Sequence, residues 1–327
     1  MTTVTGNRDP KTWNMSTSLP LMFSLVYGAE LADMADERDD IVVLTADLKT
    51  SNRTSDFAQR HPDRFFDVGI AEQNMMSMAA GMAASGLIPY ASTFASFAGL
   101  LCAEHLRTDM AYPAMPVRVL AHHAGISFGF YGTSHHATED IAITRAMAGM
   151  TVVAPCDSNA TRALLRATVD TPGPVYFRLG RGRERDVYTA PPKVEHGRFV
   201  TVREGCDATV IASGIAVSAA FQAADLLQDQ GIDLRVLDAM FLKPLDVDAI
   251  LAASRETGAI LTVEEHNVLG GLGGAVAEIL AEGGLSVRFA RHGINDEYAL
   301  IAPPTHLWRH YGLDGEGIKR RVEELLA

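Results

Sequence analysis

The residues best placed to do chemistry begin with DVGIAEQNMMSM, 67–78, where a short apolar run ends in Gly69 and a helical stretch opens on Glu72. An acid in a first helical turn complements the helix dipole by about 0.3–1 kcal/mol, and that reading suffices for Glu72 taken alone. Met75, Met78 and Met82 follow at helical spacing and read as core, so Glu72 is expected to open a buried helix. Burial favours the protonated form of a carboxyl group, which can then donate a hydrogen bond to a ring nitrogen. A second concentration is AHHAGISFGFYGTSHH, 121–136, with four of the eleven histidines. Such residues can hydrogen-bond a polar substrate or carry a proton near neutral pH. Metal binding fits the pattern poorly. Alternation along a strand sends His122 and His123 to opposite faces, and no H-x(3–5)-H pair or carboxylate completes a zinc set. The three glycines of this loop allow close backbone approach to a ligand. Phe94 and Phe97, in STFASF, lie one helical turn apart. They read as core, or as an aromatic wall for a flat ring. Of the two arginines in FRLGRGR, Arg178 sits at a strand's carboxyl end and is the better phosphate or carboxylate ligand; Arg181 reads as a surface charge.

The elements that position these residues alternate along the chain. Strand candidates are 41–47, 65–69, 87–93, 117–123, 151–157 and 174–180, with helices near 20–37, 72–85, 96–111, 138–148 and 158–170. The charged, Pro-Pro-bearing stretch RGRERDVYTAPPKVEHGR, 181–198, interrupts the rhythm and reads as a linker. Strands then resume at 208–214, 234–240, 259–266 and 285–293, with helices near 216–230, 246–256, 273–283 and 315–326. The expectation is an α/β protein of two domains: a parallel-sheet domain over 15–185, a linker over 186–198, and a smaller α/β domain over 199–327. Ligands of open α/β sheets collect outside the carboxyl ends of the strands. In the first domain those ends carry Asp47, Glu72, the segment 92–97, His122 and His123 with the following loop, and Arg178. GGLGG, 270–274, lacks the GxGxxG spacing and reads as a tight turn. DGEG, 314–317, has no strand before it and no Asn after it, so it is not read as a metal–diphosphate element.

The formal net charge of −12, with no Lys/Arg-rich run, argues against nucleic acid or an anionic membrane as partner. No apolar run is long enough to span a bilayer. The opening MTTVTGNRDPKTWNMSTSLP lacks a basic start followed by an apolar run, so no secretory signal is expected. Cys102, Cys156 and Cys206 lie far apart with no CxxC pair, which points to the reducing cytoplasm.

TADLKTSN (45–52), RFFDVGIAEQN, PYASTFASF, HAGIS…GTSHH, YFRLGRG and EEHNVLGGLGGAVAE (264–278) occur in this order. Through them the chain resembles, over nearly its full length, the C-terminal two-thirds of transketolase and of 1-deoxyxylulose-5-phosphate synthase, enzymes dependent on thiamine diphosphate. The resemblance implies the pyrimidine-binding and C-terminal domains of that family. No GDG…N element, which in the family holds magnesium and diphosphate, precedes them. The chain then corresponds to one subunit of a split transketolase, with a separate chain supplying the diphosphate-binding domain and Mg2+, two copies of each forming a heterotetramer around a homodimer core. The implied reaction moves a two-carbon ketol unit from a ketose or ketose phosphate to an aldehyde. Glu72 falls on the glutamate that hydrogen-bonds the cofactor's aminopyrimidine. Phe94 and Phe97 fall on the aromatic positions that hold that ring, and Asp47 and Ser51 on the segment beside cofactor and substrate. His123 matches a substrate-binding histidine, His135 the histidine near the reacting oxygen, and Arg178 an arginine for the sugar phosphate. Two positions depart from the family pattern. Tyr131 replaces an aspartate that contacts a sugar hydroxyl, which alters aldehyde preference. Ser24 stands where an arginine joins the phosphate site. The alternatives are a 2-oxo-acid dehydrogenase beta subunit or a non-catalytic regulatory homologue.

Overall fold

The computed structural model describes residues 26–181 and 186–327. Ser24, with the start of the helix expected from residue 20, lies outside the described residues. Six strands of the first half are β1 (Ile41–Thr45), β2 (Phe65–Asp67), β3 (Ile88–Phe94), β4 (Arg118–His122), β5 (Thr151–Val153) and β6 (Val175–Leu179). The second half adds β7 (Val200–Arg203), β8 (Ala208–Ala212), β9 (Leu234–Asp238), β10 (Phe241–Lys243), β11 (Ala259–Asn267) and β12 (Arg288–Ile294). The first sheet has the order β10-β5-β6-β4-β3-β1-β2, the second β12-β11-β8-β9-β7. Every pairing is parallel except those of the edge strands β10 with β5 and β7 with β9.

Parallel strands covered by helices on both faces must be apolar on both faces. That is why β1, β3, β4, β6 and β8 are buried along their whole length. β7 and β10 had no place in the strand–helix alternation because they are three or four residues long and follow another element without a helix between. β10 also crosses the expected domain division: it lies in the second half of the chain yet extends the first sheet, with Phe241 opposite Val153.

The helix Glu72–Ala84 buries Met75, Met76, Ala79, Ala80 and Ala83. Met78 and Met82 are only half-buried, contrary to the reading of all three spaced methionines as core. The stripe facing β3 is the one rich in alanine, whose small side chains let the helix lie close to the sheet. Two features set aside as ligand motifs have structural duties instead. Glu264 accepts hydrogen bonds from the backbone N–H groups of Leu272 (2.7 Å) and Gly273 (2.8 Å), anchoring the start of the helix that follows the glycine cluster. Asp314 accepts from Gly317 N–H at 2.9 Å and caps the last helix.

Side chains tie the two halves together. Arg145 donates to the Gly270 carbonyl (2.7 Å), and the Lys243 ammonium donates to the Arg145 carbonyl (2.8 Å). After the undescribed 182–185, Asp157 accepts from the N–H groups of Val187 and Tyr188, and the Tyr188 hydroxyl donates to Asp238 on β9 at 2.9 Å.

Candidate active site

The carboxyl ends of β1, β3, β4 and β6, adjacent in the sheet, open onto a group of rings. β3 ends in Phe94, and the chain continues into a helical segment whose first turn, Phe97–Leu101, is π-helical, a geometry frequent at functional sites. Phe94 and Phe97 meet edge to face, with centroids 5.5 Å apart. His135 packs against both, at 5.3 Å from each ring. Phe128, which the sequence pattern does not single out, stacks between Phe94 (5.5 Å, 25°) and Tyr131 (4.1 Å, 21°). Its signal was an aromatic residue in a glycine-flanked loop, which local spacing could not distinguish from a surface residue.

His122 and His123 do not diverge. β4 ends at His122, and His123 adopts φ +60°, the left-handed region that non-glycine residues rarely enter. Leaving the strand geometry cancels the alternation, so both rings pack on Phe94, at 4.8 and 5.1 Å, and their Nδ1 atoms lie 2.6 Å apart. Both are buried, and neither Nε2 has a partner among the described residues. The hydroxyls of Thr93 and Ser96 at the end of β3 are likewise buried and unpartnered among the described residues. Buried polar atoms are nearly always paired, so orphans concentrated at one place point to a missing ligand.

Electrostatics follow burial. Desolvation, helped by the positive charge of Arg181, pushes His122 down to about 3. His123 is held well below its ordinary value by burial, then by His122, Arg181 and His135. Burial also lowers His135, which remains half-exposed and keeps the Ser134 hydroxyl 2.9 Å from its Nδ1.

Glu72 opens its helix as expected from the sequence and is 7 % exposed. Gly69, at φ +72°, turns the chain from β2 toward it. No hydrogen bond to its carboxylate forms among the described residues. Its neighbour is Cys102, whose thiol is pushed up to about 12 by burial and by the charge of Glu72. The adjacent Gln73 donates to the Leu101 carbonyl at 3.2 Å, which fixes this helix start against the segment that carries Phe97.

Arg178, expected to take a sugar phosphate, lies deeper in the sheet than a residue at an open strand end. Its side chain is 4 % exposed, and its guanidinium donates to Asp140 at 3.1 Å and to the carbonyls of Ala137 (3.0 Å) and Glu265 (2.8 Å). Through Nε and Nη2 it staples the histidine loop to β11, and its Nη1 makes no hydrogen bond among the described residues. The cation over the ring cluster is Arg181, 4.7 Å from the Phe128 centroid. Asp47 and Ser51 are exposed beyond β1 and make no side-chain bond to the cluster. At the other end of that motif Asn52 is buried and donates to the hydroxyls of Thr45 (3.0 Å) and Ser92 (3.1 Å). Nothing in its sequence context marked it. Among the described residues no group of three or more His, Cys, Asp or Glu is placed to hold a metal ion, and no helix is long and apolar enough to cross a membrane.

Family models for the transketolase pyrimidine-binding domain and the transketolase C-terminal domain match residues 20–185 and 197–318. The chain is 40 % identical over 297 residues to one of the subunits of the apulose-4-phosphate transketolase of Phocaeicola vulgatus, covering 90 % of this chain and 95 % of that one. It is 36 % identical over 295 residues to a 6-deoxy-6-sulfo-D-fructose transketolase subunit of a Clostridium species, covering 90 % and 91 %. A solved split-gene transketolase, described as an inactive beta4 tetramer, superposes with a TM-score of 0.85 at 42 % identity, covering 92 % of this chain and 97 % of the other.

Proposed function

Because the chain belongs to the transketolase family, we propose that it is the subunit of a two-chain, thiamine-diphosphate-dependent transketolase that moves a two-carbon ketol unit from a ketose donor to an aldehyde. The observation that carries this reading is Glu72: a carboxylate almost fully buried at a helix start, with no hydrogen bond from the described residues. An acceptor so placed is open to a donor that arrives from outside the described residues. The residues present therefore fit the pyrimidine half of the cofactor, with Glu72 for a ring nitrogen and Phe94 and Phe97 as walls that exclude water. Among the described residues there is no acidic cluster for magnesium diphosphate, which we assign to a separate partner chain. Relatives named as subunits support that assignment, and we place two copies of each chain in a cytoplasmic assembly.

Bound thiamine diphosphate supplies the carbon nucleophile and electron sink on which breaking and making of the carbon–carbon bond depends. The chain's own residues do the rest. Glu72 holds the ring and its proton inventory at one nitrogen. His135, whose Nδ1 is engaged by Ser134, moves a proton at Nε2, and His123 stabilises developing negative charge. Tyr131 and Arg181 border the substrate channel, while Asp47 and Ser51 lie on its exposed rim. The two relatives are named for sugars with different anionic groups.

The test is reconstitution with the diphosphate-binding partner and a ketose phosphate or hydroxypyruvate plus an aldehyde. Glu72→Ala is expected to lower ketol transfer by about 10²-fold or more with the fold unchanged. Full activity of that variant would leave Glu72 with its helix-dipole role alone. Turnover only with a 2-oxo acid and a lipoyl acceptor would instead identify a dehydrogenase subunit.

A further inference from the structure

We propose that His122 is a positioning residue that holds His123 in the tautomer with its proton on Nε2, so that His123 is a hydrogen-bond donor and the proton-accepting role falls to His135. The inference rests on the reading of His123 as a substrate-facing residue. The two Nδ1 atoms are 2.6 Å apart, so one carries a proton and the other accepts it. If His123 donates, its own Nε2 is bare and the remaining proton of the pair sits on His122 Nε2. If His122 donates, its Nε2 is bare and the proton on His123 lies at Nε2. Each arrangement leaves one N–H and one lone pair without a partner among the described residues, but at different places.

His122 is the last residue of a central strand, with no exposed surface. An N–H at its Nε2 has no partner among the described residues, and buried orphan donors are the rarer kind. His123 is the first residue of the loop, at φ +60°, directly beneath Phe128 at 4.6 Å. On the reading of His123 as substrate-facing, a bound substrate supplies the partner for an N–H at its Nε2. The arrangement with a lasting partner for every N–H is therefore the one in which His122 donates. Burial holds both rings neutral, and the charged or titratable groups facing them, Arg181 and His135, oppose protonation further. His123 thus cannot serve as a base through Nδ1, which is occupied, or through Nε2, which already carries hydrogen. What it can do is donate to an oxygen that gains negative charge.

The experiment is long-range proton–nitrogen NMR on the full chain with ¹⁵N-labelled histidine, the His123 signals being assigned by their loss in His123→Gln. The expected wild-type result is an Nε2–H tautomer of His123, unchanged from about pH 6 to about pH 8. His122→Leu is expected to convert it to a mixed, titrating imidazole, and His122→Asn, whose amide can donate from the Nδ1 position, to restore the single tautomer. In the reconstituted enzyme His122→Leu should lower kcat by about 10²-fold with KM little changed, and His122→Asn should recover most of it. An Nδ1–H tautomer of His123 in the wild-type spectrum overturns the proposal, and so does a tautomer that His122→Leu leaves unaltered. If His122→Leu does not fold, the wild-type spectrum still decides. If wild-type complexes show no ketol transfer, the functional reading fails while the tautomer result stands by itself.

Discussion

Replacing the buried pair His122 and His123 should remove a large part of the chain's sensitivity to acid. The folded-state value of each imidazole is depressed, that of His122 to about 3, while the unfolded chain titrates near 6.5. Between those values the unfolded state binds protons that the folded state refuses, so stability is present above the ordinary histidine value and is lost as pH falls from about 7 toward the folded value. Lowering the pH from 7 to 5 costs about 2 kcal/mol for one such residue, because the unfolded imidazole becomes almost fully protonated while the folded one stays neutral. His122 therefore accounts for about 2 kcal/mol, a sizeable share of the 5–15 kcal/mol typical of a folded domain, and His123 is lowered in the same direction and adds to it. Urea unfolding at both pH values measures it, comparing the wild type with the His122→Asn/His123→Asn double variant. His135, His136 and the carboxylates contribute to both proteins and cancel in the difference. The wild type should lose more than the variant, by at least about 2 kcal/mol. Equal losses would mean that the pair is charged or solvated in the folded chain, and the argument from burial would be wrong.

Three further substitutions probe the same region. Arg178→Ala leaves Asp140 as an uncompensated buried charge, so it should destabilise the chain by about 3–5 kcal/mol in chemical unfolding, an effect that a surface phosphate ligand would not produce. Gly125→Ala places a Cβ 2.2 Å from the Glu265 carboxylate at φ +63°; a lowered midpoint in thermal unfolding is expected, by about 1–3 kcal/mol, and an unchanged midpoint would show that the loop is free of β11. Tyr131→Asp puts a charged acceptor beside Phe128, and on the proposed function kcat/KM for hydroxylated aldehydes relative to unhydroxylated ones should rise about tenfold or more in the reconstituted enzyme.

The arrangement of Phe94, Phe97 and His135 was accessible from sequence only as a list of residues at strand ends. Periodicity places a residue on a strand or a helix, and the carboxyl-end rule then selects which of them share a side of the sheet. It says nothing about backbone angles beyond the last ladder bond. His123 shows the consequence: one residue at positive φ turned two histidines expected on opposite faces into a bonded pair. Arg178 and Arg181 show a second limit. Both are arginines near the end of β6, three residues apart, and which of them faces the rings depends on where Asp140 and β11 lie, which are distant in sequence.

By itself, then, the amino-acid order determined the α/β class, the strand–helix alternation and the family, because hydrophobic period and ordered motifs are local properties that need no partner. Tertiary structure alone decided that β10 joins the first sheet, that Arg178 pairs with Asp140, and that Phe128 lies at the centre of the ring stack. These outcomes turn on contacts between segments far apart in the chain. Burial, hydrogen-bond satisfaction and charge are settled only where such segments meet.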